Sequence, residues 1–112
     1  MNTQKIVENI GLDEFAELVK KHRLVVGAHA LDHVSDGQRK IYDEDTLMHA
    51  VSKERPAGVG LQKNGRYAVF YRRDDHYLKL IIALTENGTL EIVTFINPAD
   101  IPYLERLYDG KR

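Results

Sequence analysis

The sequence predicts an α+β domain: N-terminal helices, then a four-stranded antiparallel β-meander, then a short C-terminal helix. Three observations predict it. Apolar residues recur at helical spacing through the first half of the chain. The second half alternates apolar and polar residues. The turn signals Asn64-Gly65, Asp74-Asp75 and Asn87-Gly88 cut that half into strands. No linker, repeat or low-complexity tract interrupts the chain, so residues 1–112 read as one domain.

The elements follow in order. Ile6, Val7 and Ile10 suggest a short first helix stopped by Gly11, a residue suited to the position after a helix end. Asp13 can cap a second helix, with Leu12, Phe15, Ala16, Leu18 and Val19 at its spacing. Leu24-Val25-Val26 reads as a short strand or as the end of that helix. A further helix begins among Asp43, Glu44 and Asp45, whose charges suit the positive end of a helix dipole. Leu47, Met48 and Val51 form its buried stripe, and Pro56 ends it. Strands are expected at about 57–63, 66–73, 76–85 and 89–96. Pro98 ends the sheet, and Asp100 caps a last helix carrying Ile101, Leu104 and Leu107.

Two-residue turns would fix the register. Ile81 then pairs with Thr94, Leu80 with Phe95, Arg72 with Tyr77 and Phe70 with Lys79. One face holds Val69, Tyr71, Leu78, Leu80, Ile82, Val93 and Phe95 and should carry the helices. The other holds Phe70, Arg72, Tyr77, Lys79, Ile81, Ile92, Thr94 and Ile96. Half of that face is apolar, yet it displays Arg, Lys, Tyr and Thr. It has the character of a floor for a ligand or a loop.

Composition narrows the function classes. The hydrophobic fraction of 43% and charged fraction of 29% are those of an ordinary soluble domain. With no cysteine, disulfides and thiolate metal sites are excluded. No apolar run approaches the roughly 20 residues of a membrane span. MNTQKIVENIGL lacks the apolar core of a secretory leader, so a cytoplasmic protein without a membrane partner is expected. A net charge of −1 gives no bulk attraction to nucleic acid. The charge is uneven, however. Residues 20–40 carry five Lys or Arg against two Asp, and residues 53–79 seven against three acids. A local basic patch is available on a near-neutral chain. For most of these charges a solvated surface is the simpler reading.

The polar segment AHALDHVSDGQRK places His29 and His33 four residues apart, on one side of a helix if 28–34 is helical. That spacing suits two metal ligands, with a third drawn from His22, His49, His76 or a carboxylate. Yet HALDH lacks the Glu that follows the first His in zinc hydrolases. No tightly bound metal and no other cofactor is expected. An acid–base pair is as natural a use, because imidazole titrates near neutral pH. Either histidine alone is more simply a buried or capping side chain.

Metal-free RNA cleavage needs a base for the 2′-hydroxyl proton, donors for the charge on the phosphate, and an acid for the departing 5′-oxygen. His29 or His33 supplies proton transfer. Arg72 and Lys79 supply positive charge, and Thr94 a hydrogen bond to a phosphate oxygen. Tyr77 can stack on a base or act as the acid. Arg66 and Arg39 extend the set as substrate-binding cations, although Arg66, beside its turn, reads more simply as a surface charge. His76 reads as a turn residue. No glycine-rich phosphate loop or Ser/Cys nucleophile motif accompanies them.

The His-bearing segment before the helix at 43–53, the order of elements and the sheet ending IVTFIN resemble the barnase–EndoU–colicin–RelE superfamily over about residues 24–97. The likeness is greatest to its phage-associated and polymorphic-toxin branches. It rests on layout and short words. The resemblance implies a ribonuclease toxin fold with His29 or His33, Arg72, Lys79 and Thr94 lining the cleft. It also implies RNA as the substrate, with tRNA among the candidates and no DNA target, and an antidote or immunity protein as partner. The near-neutral charge departs from the more basic toxins of that group, whose catalytic residues vary and which includes inactive members. The leading expectation is a metal-independent endoribonuclease leaving a 2′,3′-cyclic phosphate and a 5′-hydroxyl. The alternative is a catalytically inert protein-interaction module of the same fold. A small-molecule binding domain using the half-apolar face is a third class.

Overall fold

The computed structural model describes residues 5–32, 42–73 and 77–96. Their order is β1 (Ile6–Asn9), α1 (Leu12–Lys21), β2 (Arg23–Val26), α2 (Glu44–Lys53), β3 (Gly58–Gln62), β4 (Tyr67–Arg72), β5 (Tyr77–Leu84) and β6 (Thr89–Ile96). The strands form one six-stranded sheet in the order β1-β3-β4-β5-β6-β2. All neighbours are antiparallel except β2, which runs parallel to β6.

This overturns the expected fold of N-terminal helices, a four-stranded meander and a C-terminal helix. The meander β3 to β6 is present, but a strand is added at each edge. The segment expected as the first helix is β1. Four residues with two β-branched side chains are too few to repay helix nucleation. The exposed edge of β3 offers partners instead. The Ile10 amide donates to the Val59 carbonyl at 2.9 Å, and the Lys63 amide to the Lys5 carbonyl at 2.9 Å. Leu24-Val25-Val26 resolves as a strand because α1 ends at Lys21 and the β-branched run lies along β6. The helix expected from Asp100 lies outside the described residues.

Helix α2 starts where its acids predicted. Asp43 caps it, its carboxylate accepting from the Thr46 amide at 2.9 Å and the Thr46 hydroxyl at 2.8 Å. Those two hydrogen bonds hold the Asp43 carboxyl below its ordinary pKa. In α1 the first turn carries Asp13 and Glu14 and the last Lys20 and Lys21, a polarity matched to the dipole. Phe15 of α1 and Leu47, Ala50 and Val51 of α2 pack on Val69, Leu78, Leu80, Ile82, Leu90, Ile92 and Phe95. Both helices therefore cover the same side of the sheet.

The turns are longer than expected, and this moves one pair of side chains. Asn64 and Asn87 do not take the positive φ of a two-residue type I′ turn; among the described residues only Gly65 and Gly88 do, at 87° and 80°. Each hairpin has a three-residue loop ending on that glycine. Gln62 donates to the Arg66 carbonyl in one, and Thr85 to the Thr89 carbonyl in the other. In the β5–β6 hairpin Ile82 therefore faces Ile92, one step out of the expected register. A β-bulge between Ile81 and Ile82 absorbs the step, with Val93 as the extra residue. Beyond it Ile81 faces Thr94 and Leu80 faces Phe95, as the turn signals predicted. Between turn and bulge the faces are exchanged: Ile92 enters the helix-side core and Val93 turns to the other side.

Candidate functional site

The face away from the helices has its own small apolar cluster. Ala68, Phe70 and Ile81 are buried in it, with Ile6, Tyr77 and Val93 partly buried against them. Among the described residues no helical side chain joins this cluster. Alternation along β4 and β5 puts Arg72, Tyr77 and Lys79 on the same side, and Ile81 opposite Thr94 puts the Thr94 hydroxyl there too. Four of the expected site residues thus share one face.

Their states differ. Arg72 is exposed at the strand end. Its guanidinium donates to the Tyr77 hydroxyl at 2.9 Å and stacks 5.1 Å from that ring's centre. Thr94 is half-buried, and among the described residues its hydroxyl makes only a long 3.5 Å contact with the Phe95 carbonyl. Lys79 is 1% exposed, as enclosed as the aliphatic core. Its ammonium lies 5.6 Å from the centre of the Phe70 ring, and no carboxylate among the described residues pairs with it. Loss of water around the charge lowers the Lys79 pKa. A buried ammonium whose partner among the described residues is an aromatic face is costly, and an anion brought beside it would repay part of that cost.

His29 belongs to the segment that follows β2. β2 runs parallel to β6 and ends with Val26 beside Ile92. The Gly27 amide continues the ladder, donating to the Ile92 carbonyl at 2.9 Å. A Cβ at Gly27 would come within 3.0 Å of that carbonyl, so glycine lets the chain leave the sheet edge at this point. β2 thus points toward the end of the sheet where Lys79 faces Ile96 and Arg72 faces Tyr77, and after it the chain turns between Gly27 and Ala30. His29 sits in this turn, its Nδ1 2.6 Å from an Asp32 carboxylate oxygen. With Nδ1–H donating to Asp32, Nε2 is left as an acceptor, the tautomer a general base requires. Sequence reading missed Asp32 as the orienting partner; an Asp three residues after a His in a turn was the available signal. β2 stands two strands from β5, about 10 Å by ordinary strand spacing.

The remaining expected residues are not gathered here. Arg66 immediately precedes β4 and Arg72 closes it, so they stand about 20 Å apart at ordinary strand rise. Arg66 is exposed, its amide donating to the Asn64 side chain at 3.1 Å. His33, Arg39 and His76 lie outside the described residues. His22 caps the end of α1 instead, with Nδ1 2.8 Å from the Leu18 carbonyl oxygen. Among the described residues no group of three or more His, Asp or Glu side chains stands together as a metal-binding set. Nor is any described helix long and apolar enough to cross a membrane.

No protein-family model matches this chain, and neither a curated protein nor a solved structure does.

Proposed function

We propose that this protein is a metal-independent endoribonuclease acting in the cytoplasm, with the face of Arg72, Tyr77, Lys79 and Thr94 as its phosphate-binding floor. One observation carries the reading: Lys79 is a buried ammonium without a carboxylate counter-charge among the described residues, on a face that also presents a guanidinium and a hydroxyl. A phosphodiester supplies the missing anion. The residues divide the work as follows. His29 Nε2, its tautomer set by Asp32, removes the proton of the 2′-hydroxyl. The 2′-oxygen attacks the adjacent phosphorus. Lys79 and Arg72 offset the charge on the non-bridging oxygens while Thr94 donates a hydrogen bond to one of them. The P–O5′ bond breaks, and the departing oxygen takes a proton from an acid for which Tyr77 and His33 are the candidates. The products are a 2′,3′-cyclic phosphate and a 5′-hydroxyl. The resemblance to the ribonuclease toxins supports RNA as substrate, and an antidote protein as partner.

The experiment is cleavage of total RNA by purified protein in EDTA, with His29→Ala and Lys79→Met alongside. Cleavage should persist in EDTA and end in cyclic phosphate. His29→Ala should lower the rate by about 10²–10⁴, the usual worth of a positioned acid or base. Equal backgrounds from all three proteins would sink the enzyme. The inert interaction module would then stand, favoured by the enclosure of Lys79 and by the engagement of Arg72 with Tyr77.

A further inference from the structure

The helix side of the molecule has a concavity, separated from the Lys79 face by the sheet. It is a cleft of about 220 Å³ between α1 and the end of α2. Leu12, Phe15, Val19, Val51 and Pro56 provide apolar walls, and Lys20, Lys53 and Arg55 stand around them. The one acid among the lining residues, Glu54, is already committed. The Arg73 guanidinium donates to both its oxygens, at 2.9 and 3.2 Å.

The three lining cations are far less engaged. Lys20 stands 3.6 Å from Glu17 and Arg55 3.4 Å from Asp13, all four side chains more than half exposed. Pairs of that kind contribute little and exchange readily. Lys53 has no carboxylate partner among the described residues. The cleft therefore offers an apolar seat with more free positive than negative charge at its rim. Its volume bounds the occupant. A cavity of about 150 Å³ already admits benzene, whereas drug-sized ligands fill roughly 300 Å³ or more.

We propose that the α1–α2 cleft binds a small aromatic carboxylate, its ring against the half-buried Leu12, Val19 and Pro56 and its carboxylate toward Lys53 and Arg55. The apolar seat selects the ring and the rim selects the negative charge. This site is independent of the ribonuclease reading, since it uses none of the same residues.

The test is amide-resolved NMR titration of the full chain with 3-phenylpropionate, against 3-phenylpropanol and phenethylammonium as uncharged and cationic controls. Saturable shifts are expected at Ala16, Val19, Val51 and Lys53, with a dissociation constant on the order of 1 mM or tighter. The alcohol should bind more weakly and the ammonium not at all. Lys53→Gln, at an exposed position, should weaken the carboxylate about two- to five-fold and leave the free spectrum otherwise unchanged. Ala16→Leu, also exposed, should block the cleft to all three compounds. No saturation by about 10 mM, or shifts away from the cleft, would overturn the proposal. So would equal affinity for alcohol and carboxylate, or unchanged affinity in both variants.

Discussion

The two sides of the central sheet are built from the same strands and end in opposite chemical states. On the helix side the buried set is apolar but for one phenol: Tyr71 is fully enclosed, and its hydroxyl has no hydrogen-bond partner among the described residues. Burial, reinforced by the nearby Glu54 carboxylate and opposed by Arg73, pushes that phenol well above its ordinary pKa. It stays neutral, and its cost is that of one unmet hydroxyl. On the far side the enclosed polar side chains are Gln62 and Lys79, and of the two Lys79 carries the charge. Hiding a charge costs far more than hiding a neutral hydroxyl. A strand position that only needed filling would take a Leu or Met. The comparison separates the two sides: among the described residues the helix side encloses no charge, and the far side carries the cost of one, which is the reason to look for a bound anion there.

The largest expected effect tests where the division between the sides runs. Ile92 is fully buried in the helix-side cluster, while Val93 is half-buried on the other. Ile92→Ala should therefore destabilise by about 2–5 kcal/mol, the range for emptying a tightly packed aliphatic site. Val93→Ala should cost roughly 1 kcal/mol, nearer the centre of ordinary substitutions. Urea denaturation of both variants decides. Unbroken alternation through β6, as the sequence alone suggests, would reverse the order. A larger loss at Val93 would therefore remove the bulge and regroup the faces.

That reversal marks what was legible and what was not. Pairing of Arg72 with Tyr77, Phe70 with Lys79 and Ile81 with Thr94 could be read from the turn signals, and with it the grouping of Arg72, Tyr77, Lys79 and Thr94. The exchange of Ile92 and Val93 could not. Asn-Gly dipeptides mark a turn, but both loops here hold three residues and place only the glycine at positive φ. A one-residue difference in loop length inverts every side chain until a bulge restores it. The edge strands were hidden for another reason. β1 and β2 are four residues each, too short for a periodicity of 2 to be told from one of 3.6. Their partners are distant in sequence, and β2 joins the sheet only because β6 is there to receive it. Asp32 beside His29 escaped notice because a turn contact leaves no periodic trace.

Lys79 gives the second, intermediate test. Its pKa is lowered in the folded protein below the ordinary lysine value of 10.5, so between the two values the unfolded chain binds more protons. Stability relative to a Lys79→Met variant should then rise with pH through that interval, because the folded state sheds the costly charge first. At pH 7 the methionine variant should be the more stable, since it fills similar volume without a buried ammonium. By pH 10.5 the two should draw together. Parallel urea melts from pH 7 to 10.5 read this directly. A constant difference across the range would mean that Lys79 keeps a solvated charge, and the contrast between the two faces would lose its basis. The same variant is expected to lose RNA cleavage, so stability and activity should move in opposite directions.

The smallest effect sharpens the site itself. Tyr77 holds Arg72 by one hydrogen bond and a stacked ring, both at the surface. Tyr77→Phe removes the hydrogen bond and keeps the ring, so stability should change by no more than about 0.5 kcal/mol. Its effect on cleavage separates two roles. If Tyr77 only steadies Arg72, the phenylalanine variant frees a guanidinium for phosphate, and the rate should hold or rise slightly, while Arg72→Ala slows it. If the Tyr77 hydroxyl is the acid that protonates the 5′-oxygen, Tyr77→Phe should fall by about 10²-fold or more, the scale of a lost proton donor. A substrate with a good leaving group, such as a nitrophenyl ester of a nucleoside 3′-phosphate, makes the assignment secure. It needs no acid, so it should restore the Tyr77→Phe rate in the second case and leave the Arg72→Ala defect in place in both.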